Sequence, residues 1–442
     1  MLLQWKGSTL TTISKDSVAS RASVISKDFG ELTLAFTDQF TFCWNDRSTG
    51  GSDYGGFWHP QPPEGFFALG SIVRKGWGTD NIQQLDGGSA GRLKEYTTAL
   101  CVKPSAAGEK AVKSGKAKPQ LAAPTGYERI WKDAKSGGKY YGCIWRPIAP
   151  AGYVPLGCVA SPNTYDEPPT SAIMCVREDL TYLADLSASY SDRGTGATED
   201  LSTWLNVTPS DYAATDDTLG LIAAGTFTAV PNHSRRPDPQ RETRVLRLAM
   251  PIDEAVLGKP PALTDRNPPP PTTDEIIVAS VWMPYTAVKD TARTDAWKFA
   301  NSPFYQVQRT AAWRRLQYLN NDTGRDQPLS DVVTVGWEKG QTHGWSVNVG
   351  FEISTTNSLG TGPVSASTTF KFTAAFGATG SYSAKESSSH TKSRTFTVPS
   401  NHAGAMWVGH EKLRIVRADN TIVGSTLSCD TELFAYDQYP DD

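Results

Sequence analysis

The stretch FWHPQPPEGFFALG at residues 57–70 returns as IWRPIAPAGYVPLG at 144–157, and no other feature constrains the fold of this chain so strongly. Trp58, Pro60, Pro63, Gly65, Phe66, Leu69 and Gly70 match Trp145, Pro147, Pro150, Gly152, Tyr153, Leu156 and Gly157 at one offset of 87 residues. The match runs backwards through Trp44, Asp46, Gly50, Gly51, Tyr54 and Gly55, which pair with Trp131, Asp133, Gly137, Gly138, Tyr141 and Gly142. An internal repeat of this kind implies one supersecondary unit used more than once, each copy burying an apolar face that it could not bury alone.

The two tryptophans of each copy flank a Gly-rich turn, which predicts a hairpin with an aromatic residue on each strand. Pro-x-x-Pro-x-Gly cannot be a helix interior, because proline lacks the N–H and restricts its predecessor. It reads as a rigid turn into a short strand. A third, fainter copy is left open by Trp204 and DTLGLIAAGTFTAV at 217–230, which lack the prolines.

Thirteen Trp, abundant Gly, Pro, Ser and Thr, and few apolar segments of helical period point to an all-β protein. The expected layout is a repeated, β-prism-like domain over 1–255, a Pro-rich hinge over 256–275, and an elongated β domain over 276–442. Within the last, a short helix is expected near 290–300, and SPFYQVQRTAAWRRLQYLNND reads as strand. The basic, Pro-broken stretch 232–244 reads as a solvated loop, with a protease-sensitive loop as the sharper alternative.

A net charge of −3 implies no general attraction to nucleic acid. The start MLLQWKGSTLTTISKD has neither the basic region nor the apolar core of a signal peptide, and no apolar run reaches spanning length. The expectation is a soluble chain, cytoplasmic in its producer and released without the Sec route. Six cysteines without metal-type or redox-type spacing read as buried thiols. GGSAG at 87–91 matches a nucleophile motif by letter, but it lacks the preceding apolar strand and following helix that an elbow needs. The six His are scattered, so no metal or cofactor site is expected, and no enzyme. Asn206, Asn232 and Asn321 fit the N-glycosylation pattern, which without a signal peptide reads as accidental. Asp46 and Asp133 sit beside the Gly-Gly turns; either they cap those turns, or with Trp58 and Trp145 they line glycan or receptor sites.

From 345 the pattern changes. WSVNVGFEI puts Trp345, Val347, Val349, Phe351 and Ile353 on one face and Ser346, Asn348 and Glu352 on the other. After the turn-rich STTNSLGTGP, the series Val364, Ala366, Phe370, Phe372, Ala374 and Phe376 alternates with Ser367, Thr369 and Lys371. Between Ser346 and Ala384 the only charges are Glu352 and Lys371, both on the polar side. A β-strand that crosses a bilayer needs roughly 9–11 residues, apolar to lipid and polar to a lumen, and closure into a barrel. An ordinary half-buried hairpin shows the same alternation. The Ser/Thr richness, as in SYSAKESSSHTKSRTFTV at 381–398, favours a strand that can exchange water for a lumen.

The phrase IWRPIAPAGYVPLGCVA, with YERIWKDAKSGG before it and SAIMCVRED after it, resembles the Vps62 family over about residues 40–250. The region after 276, ending TFTVPSNHAGAMWVGHEKLRIVRADNTIVG, is similar in layout to aerolysin-type and related insecticidal pore-forming toxins. Together these resemblances imply a toxin that binds a cell-surface glycan or protein receptor, oligomerises from a monomer or small oligomer, and inserts its hairpin into target membrane lipid. The alternative is a non-toxic Vps62-type binding module in carbohydrate recognition or intracellular trafficking.

Overall fold

The structure, a computed structural model, describes residues 24–51, 53–75, 90–93, 96–209, 219–233, 235–238, 243–255, 257–336, 341, 354–355, 370–371 and 389–441. The described residues form eight sheets, and the two α-helices described in full, Ala106–Lys113 and Asp295–Asn301, are short. The chain is all-β, with a lobed N-terminal domain and an elongated C-terminal sheet. The second helix falls where the sequence placed one. The first was not anticipated; Ser105 caps it, accepting from the Gly108 N–H.

Three lobes follow one plan. Each has an antiparallel hairpin: Phe40–Asn45 with Gly55–Pro60, Gly126–Lys132 with Cys143–Ile148, and Asp185–Ser191 with Ser202–Val207. A short strand extends each hairpin, Ile72–Lys75, Val159–Ala160 or Phe227–Val230. A second small sheet completes each lobe, centred on Ala99–Pro104, Cys175–Arg177 or Arg244–Ala249. Register is shared as well. Phe42 faces Trp58, Arg129 faces Trp145 and Ala188 faces Trp204, and each ladder then slips by a bulge.

The third copy is therefore real, offset by 59 residues from the second. Tyr190, Asp192, Gly196 and Trp204 stand where the second has Trp131, Asp133, Gly137 and Trp145. Around Trp44, Trp131 and Tyr190 the three hairpins build one core with Phe42, Phe57, Trp58 and Phe227. Trp44 meets Trp131 edge-on at 5.0 Å between ring centroids and Tyr190 at 6.1 Å.

The C-terminal sheet has seven strands in the order Ile252–Glu254, Ile276–Pro284, Phe304–Asn321, His402–Val416, Ile422–Tyr439, Gln327–Val335, His390–Val398. The stretch that includes SPFYQVQRT is indeed strand, 18 residues long. This sheet is not separated from the lobes. Phe29, Phe36, Leu246 and Leu248 share a core with Val281, Tyr285, Phe304, Leu413 and Ile415. Phe36 lies 5.2 Å from Tyr285 and 5.9 Å from Phe304, centroid to centroid.

The Pro-rich segment read as a hinge is packed along the sheet. Proline has no N–H to leave unsatisfied, and its carbonyls still accept. The Arg315 N–H donates to Pro271 O at 2.8 Å, the Arg315 guanidinium donates to Pro269 O, and the Trp313 indole donates to Gly258 O at 2.7 Å. Leu263 is buried with Trp313 and Trp407. The strap joins the two regions instead of loosening them.

Two outcomes follow. In urea unfolding, Trp58→Ala should cost about 3–5 kcal/mol, as for a fully buried aromatic, and Trp204→Ala, half-buried at the equivalent place, clearly less. Equal costs would contradict the packing described. A fragment ending at 255 should expose Phe29, Phe36, Leu246 and Leu248, and so bind a hydrophobic dye and melt below the full chain.

Candidate functional site

Two places gather the residues that the sequence singled out. The first is the axis of the lobed domain. Asp46 accepts from the Gly55 N–H at 3.0 Å, Asp133 from the Gly142 N–H at 2.9 Å and Asp192 from the Leu201 N–H at 2.7 Å, each nine residues ahead. The other oxygen of Asp133 takes the Trp44 indole N–H at 2.8 Å, and that of Asp192 takes the Trp131 indole N–H at 2.8 Å. Tyr190 turns its hydroxyl toward Asp46 without completing a hydrogen bond. Burial, then the carboxylates of Asp46, Asp192 and Asp53, push that phenol well up. Each carboxylate thus holds its own turn and meets the preceding lobe's aromatic ring.

This geometry assigns Asp46 and Asp133 to turn capping. Both are 3% exposed, Trp58 is fully buried, and Trp145 is 8% exposed with its indole donating to Ser161 Oγ at 2.8 Å. None of the four presents a face to a sugar, so the glycan-lining alternative is corrected. The physical reason is that the carboxylates are occupied by donors of the fold, the Gly55 N–H on Asp46 and the Gly142 N–H with the Trp44 indole on Asp133, which holds them inside. Asp192 was missed, although SDRGTGA at 191–197 repeats the pattern of NDRSTGG at 45–51. Burial raises its carboxyl, against hydrogen bonds from the Leu201 N–H, His233 and Trp131.

The second place is the root of the candidate hairpin. Gln327–Val335 and His390–Val398 pair along their whole length, from Gln327 opposite Val398 to Val335 opposite His390. One face of this pair is exposed throughout, carrying Pro328, Ser330, Val332 and Thr334 against Thr397, Thr395, Ser393 and Thr391. Ser330 and Thr395 hydroxyls meet at 2.9 Å. The other face puts Leu329 and Val398 into a core with Met406, where Phe396 stacks on Tyr436 at 4.6 Å.

At its open end the root is held by the strand Ile422–Tyr439. Val335 makes one parallel bridge to Asp430, and the Gly336 N–H donates to Asp430 O at 2.9 Å. The Asp430 carboxylate takes Arg314 Nε at 3.1 Å and His410 Nδ1 at 2.8 Å, while Glu432 holds His390 at 2.7 Å and Lys392 at 3.6 Å. Burial pushes the Asp430 carboxyl up, but His410 and Arg314 outweigh this and hold it below the usual range. A cleft of ≈ 230 Å³ opens beside these groups, lined also by Thr334, Gly336, Gln341 and Cys429. No sequence signal marked this cluster, because its members come from five separate strands.

Beyond the root, Ser354 pairs with Lys371 and Thr355 with Phe370 in an antiparallel ladder. Residues 354–355, expected in the turn, are thus strand-paired. Of the expected lipid-facing series only Phe370 is described, and of the lumen-facing series only Lys371. Trp345, Val347, Val349, Phe351, Ile353, Val364, Ala366, Phe372, Ala374 and Phe376 lie outside the described residues, as do Ser346, Asn348, Glu352, Ser367 and Thr369.

Among the described residues no group of three or more His, Cys, Asp or Glu could hold a metal, and no helix is long and apolar enough to cross a membrane. None of the six cysteines forms a disulfide.

Residues 100–250 match the family model described as vacuolar protein sorting-associated protein 62. The matched span holds the second and third lobes. No curated protein matches. Among solved structures, GNIP1Aa from Chromobacterium piscinae is similar at 23% identity and a TM-score of 0.35, over 48% of this chain and 37% of that one. Cry35Ab1 is similar at 9% identity and a TM-score of 0.29, over 73% of this chain and 89% of that one. This chain thus spans well under half the length of GNIP1Aa.

The root generates a pH expectation. A carboxyl held low in the folded state stabilises fully at neutral pH, and that contribution is lost as pH falls through its folded value. Asp430→Asn should therefore lower stability by about 1–3 kcal/mol at neutral pH, the half-exposed Arg314 limiting the effect, and should flatten the acid limb of the melting-temperature profile. A parallel shift at every pH would show that Asp430 is not the titrating group.

Proposed function

We propose that this chain is a pore-forming toxin of the insecticidal type its sequence resembles. The lobed domain binds a cell-surface glycan or protein receptor, the chain assembles into a homo-oligomeric ring, and the segment between Gly336 and His390 inserts as a β-hairpin. The observation that carries this reading is the paired root, Gln327–Val335 with His390–Val398, exposed and Ser/Thr-rich along one face and standing at the edge of the sheet. A two-stranded ribbon of this kind is marginal by itself and gains stability from pairing into a larger closed sheet. Among the described strands His390–Val398 is outermost, and its outer edge is the natural place for a neighbouring copy to pair. Hydroxyl side chains suit both exposure in the single chain and a water-filled lumen in the ring.

The second reading is a binding module without toxicity. It is favoured by the family match at 100–250 and by the completeness of the three lobes. On that reading the same root is an ordinary surface ribbon.

Planar-bilayer conductance separates them. If the hairpin inserts, Phe370→Lys or Phe372→Lys should cost about 2–4 kcal/mol per subunit near the midplane and abolish conductance, with the soluble melting temperature unchanged. Thr369→Asp should retain conductance and shift ion selectivity toward cations. Folded, trypsin-treated wild type that never conducts, in membranes made from receptor-bearing cells, would leave the binding-module reading standing.

A further inference from the structure

The three capped turns that follow Asp46, Asp133 and Asp192 meet at the axis of the lobes. A Cβ on Gly50 would lie 2.7 Å from Gly194 O, one on Gly138 3.1 Å from Thr49 Cγ2, and one on Gly196 4.0 Å from Lys135 O. The Thr198 N–H donates to Ala134 O at 3.0 Å. The turns touch pairwise all round, so this end of the domain is a closed knob. Among the described residues, the core beneath it contains none after Ala229, whereas the second sheets of the lobes are covered by the C-terminal sheet.

Each turn carries an exposed cation, Arg47 in the first, Lys135 together with Lys139 in the second and Arg193 in the third. Ser48, Lys135 and Gly194, at the same place in each turn, share a left-handed backbone with φ of 69°, 69° and 85°. Only the glycine adopts it freely, so Lys135 is carried in a conformation that its side chain disfavours. Of the described acids, Asp53 pairs with Lys75 at 3.0 Å, Glu199 with Arg129 at 3.1 Å and Asp200 with His233 at 3.7 Å, while the three capping carboxylates are buried below. At the feet of the first two turns stand Tyr54 and Tyr141, 48% and 59% exposed, and Tyr165 packs on Tyr141 at 5.2 Å.

We propose that this axial knob docks the lobed domain on the phosphate headgroups of an anionic membrane surface. Arg47, Lys135 and Arg193 meet the phosphates, and Tyr54 and Tyr141 settle at headgroup level, where amphipathic rings are favoured. A convex knob suits a plane better than it suits an extended glycan chain. The proposal deepens the pore-forming reading by naming the surface that the lobes contact, and it is tested without any pore.

Full-length protein is floated with neutral phosphatidylcholine vesicles and with vesicles containing phosphatidylserine. Wild type should associate only with the anionic vesicles and be released by high salt. Each surface cation contributes about fivefold in partitioning, so the triple variant Arg47→Ser, Lys135→Gly, Arg193→Ser should bind about a hundredfold more weakly. The charge-matched variant Lys110→Ser, Lys113→Ser, Lys116→Ser, on and just after the exposed first helix, should bind as wild type. Tyr54→Ala with Tyr141→Ala should weaken binding without changing its salt dependence. Equal loss in both triple variants, or no association of wild type with anionic vesicles, overturns the proposal. Knob-dependent binding of heparin or of inorganic phosphate without vesicle binding overturns it as well. Because vesicle flotation requires neither receptor nor conductance, its failure leaves the pore test intact, and the reverse.

Discussion

The carboxylate at the start of each axial turn is the constraint on which the lobed domain rests. A buried charge is tolerable only when its oxygens are hydrogen-bonded, and here the donors come from two lobes at once. Asp133 is held by its own Gly142 N–H and by the indole of Trp44; Asp192 by its own Leu201 N–H and by the indole of Trp131. Asp133 and Asp192 are each completed only by an indole from the lobe before, which ties the second lobe to the first and the third to the second. The glycines follow from the same geometry. A Cβ at Gly142 would lie 2.6 Å from the Trp44 ring, and one at Gly55 would lie 2.0 Å from that of Tyr190. The approach that allows the cross-lobe contact leaves no room for a side chain.

The first two lobes were legible because Trp, Asp, Gly and Pro each mark a backbone or packing demand that no other residue meets as well. The third was dim because it solves the same demands with substitutes. Tyr190 replaces an indole, Leu201 replaces a glycine, and the strand after the hairpin returns without the proline turn; the offset also drops from 87 to 59, because the second interval has no counterpart of the helix Ala106–Lys113 and has shorter connections. The strap over 258–275 was misread for a different reason. Proline content signals the absence of donors, not the absence of structure, and the acceptors of Pro269 and Pro271 were filled by Arg315 from a strand far along the chain. The helix Ala106–Lys113 was hidden by Gly108, whose missing side chain lets the helix press onto Glu31 O. The ion cluster at Asp430 had no local pattern at all.

Stability is distributed unevenly in a way that bears on function. Phe304–Asn321, His402–Val416 and Ile422–Tyr439 form long continuous ladders with one another, and the lobes cover one end of them. Among the described residues, the root ribbon is joined to this sheet by one parallel bridge, by hydrogen bonds such as Asn321 Nδ2 to Val398 O at 3.0 Å and the Tyr436 hydroxyl to Thr397 O at 3.1 Å, by a few side-chain ion pairs and by the small core at Phe396. Local opening costs least where few apolar contacts and few ladder bonds must break. The ribbon is therefore the part of this sheet that opens at least cost, and on the pore-forming reading it adjoins the segment that changes environment.

Parity links the described ribbon to the alternating series beyond it. In Gln327–Val335 the inward positions are odd-numbered, and in His390–Val398 they are even-numbered. The apolar series 345–353 is likewise odd and 364–376 likewise even, and the ladder sets 354 opposite 371 and 355 opposite 370 in the same sense. Along the inward row of the root, Leu329, Phe396 and Val398 lie at the end near Asn321, while the charged Asp331, Arg394 and Lys392 and the imidazole of His390, with the buried Val333 and Val335, lie toward the open end. On the pore-forming reading this order has a physical meaning. A spanning β-ribbon needs a charged stretch where it leaves water and an uncharged apolar row beyond it, because a charge facing lipid costs most at the midplane and little at the interface. The paired charges at the open end then mark the level of the membrane surface, and the uncharged alternation begins past that level, toward the bilayer.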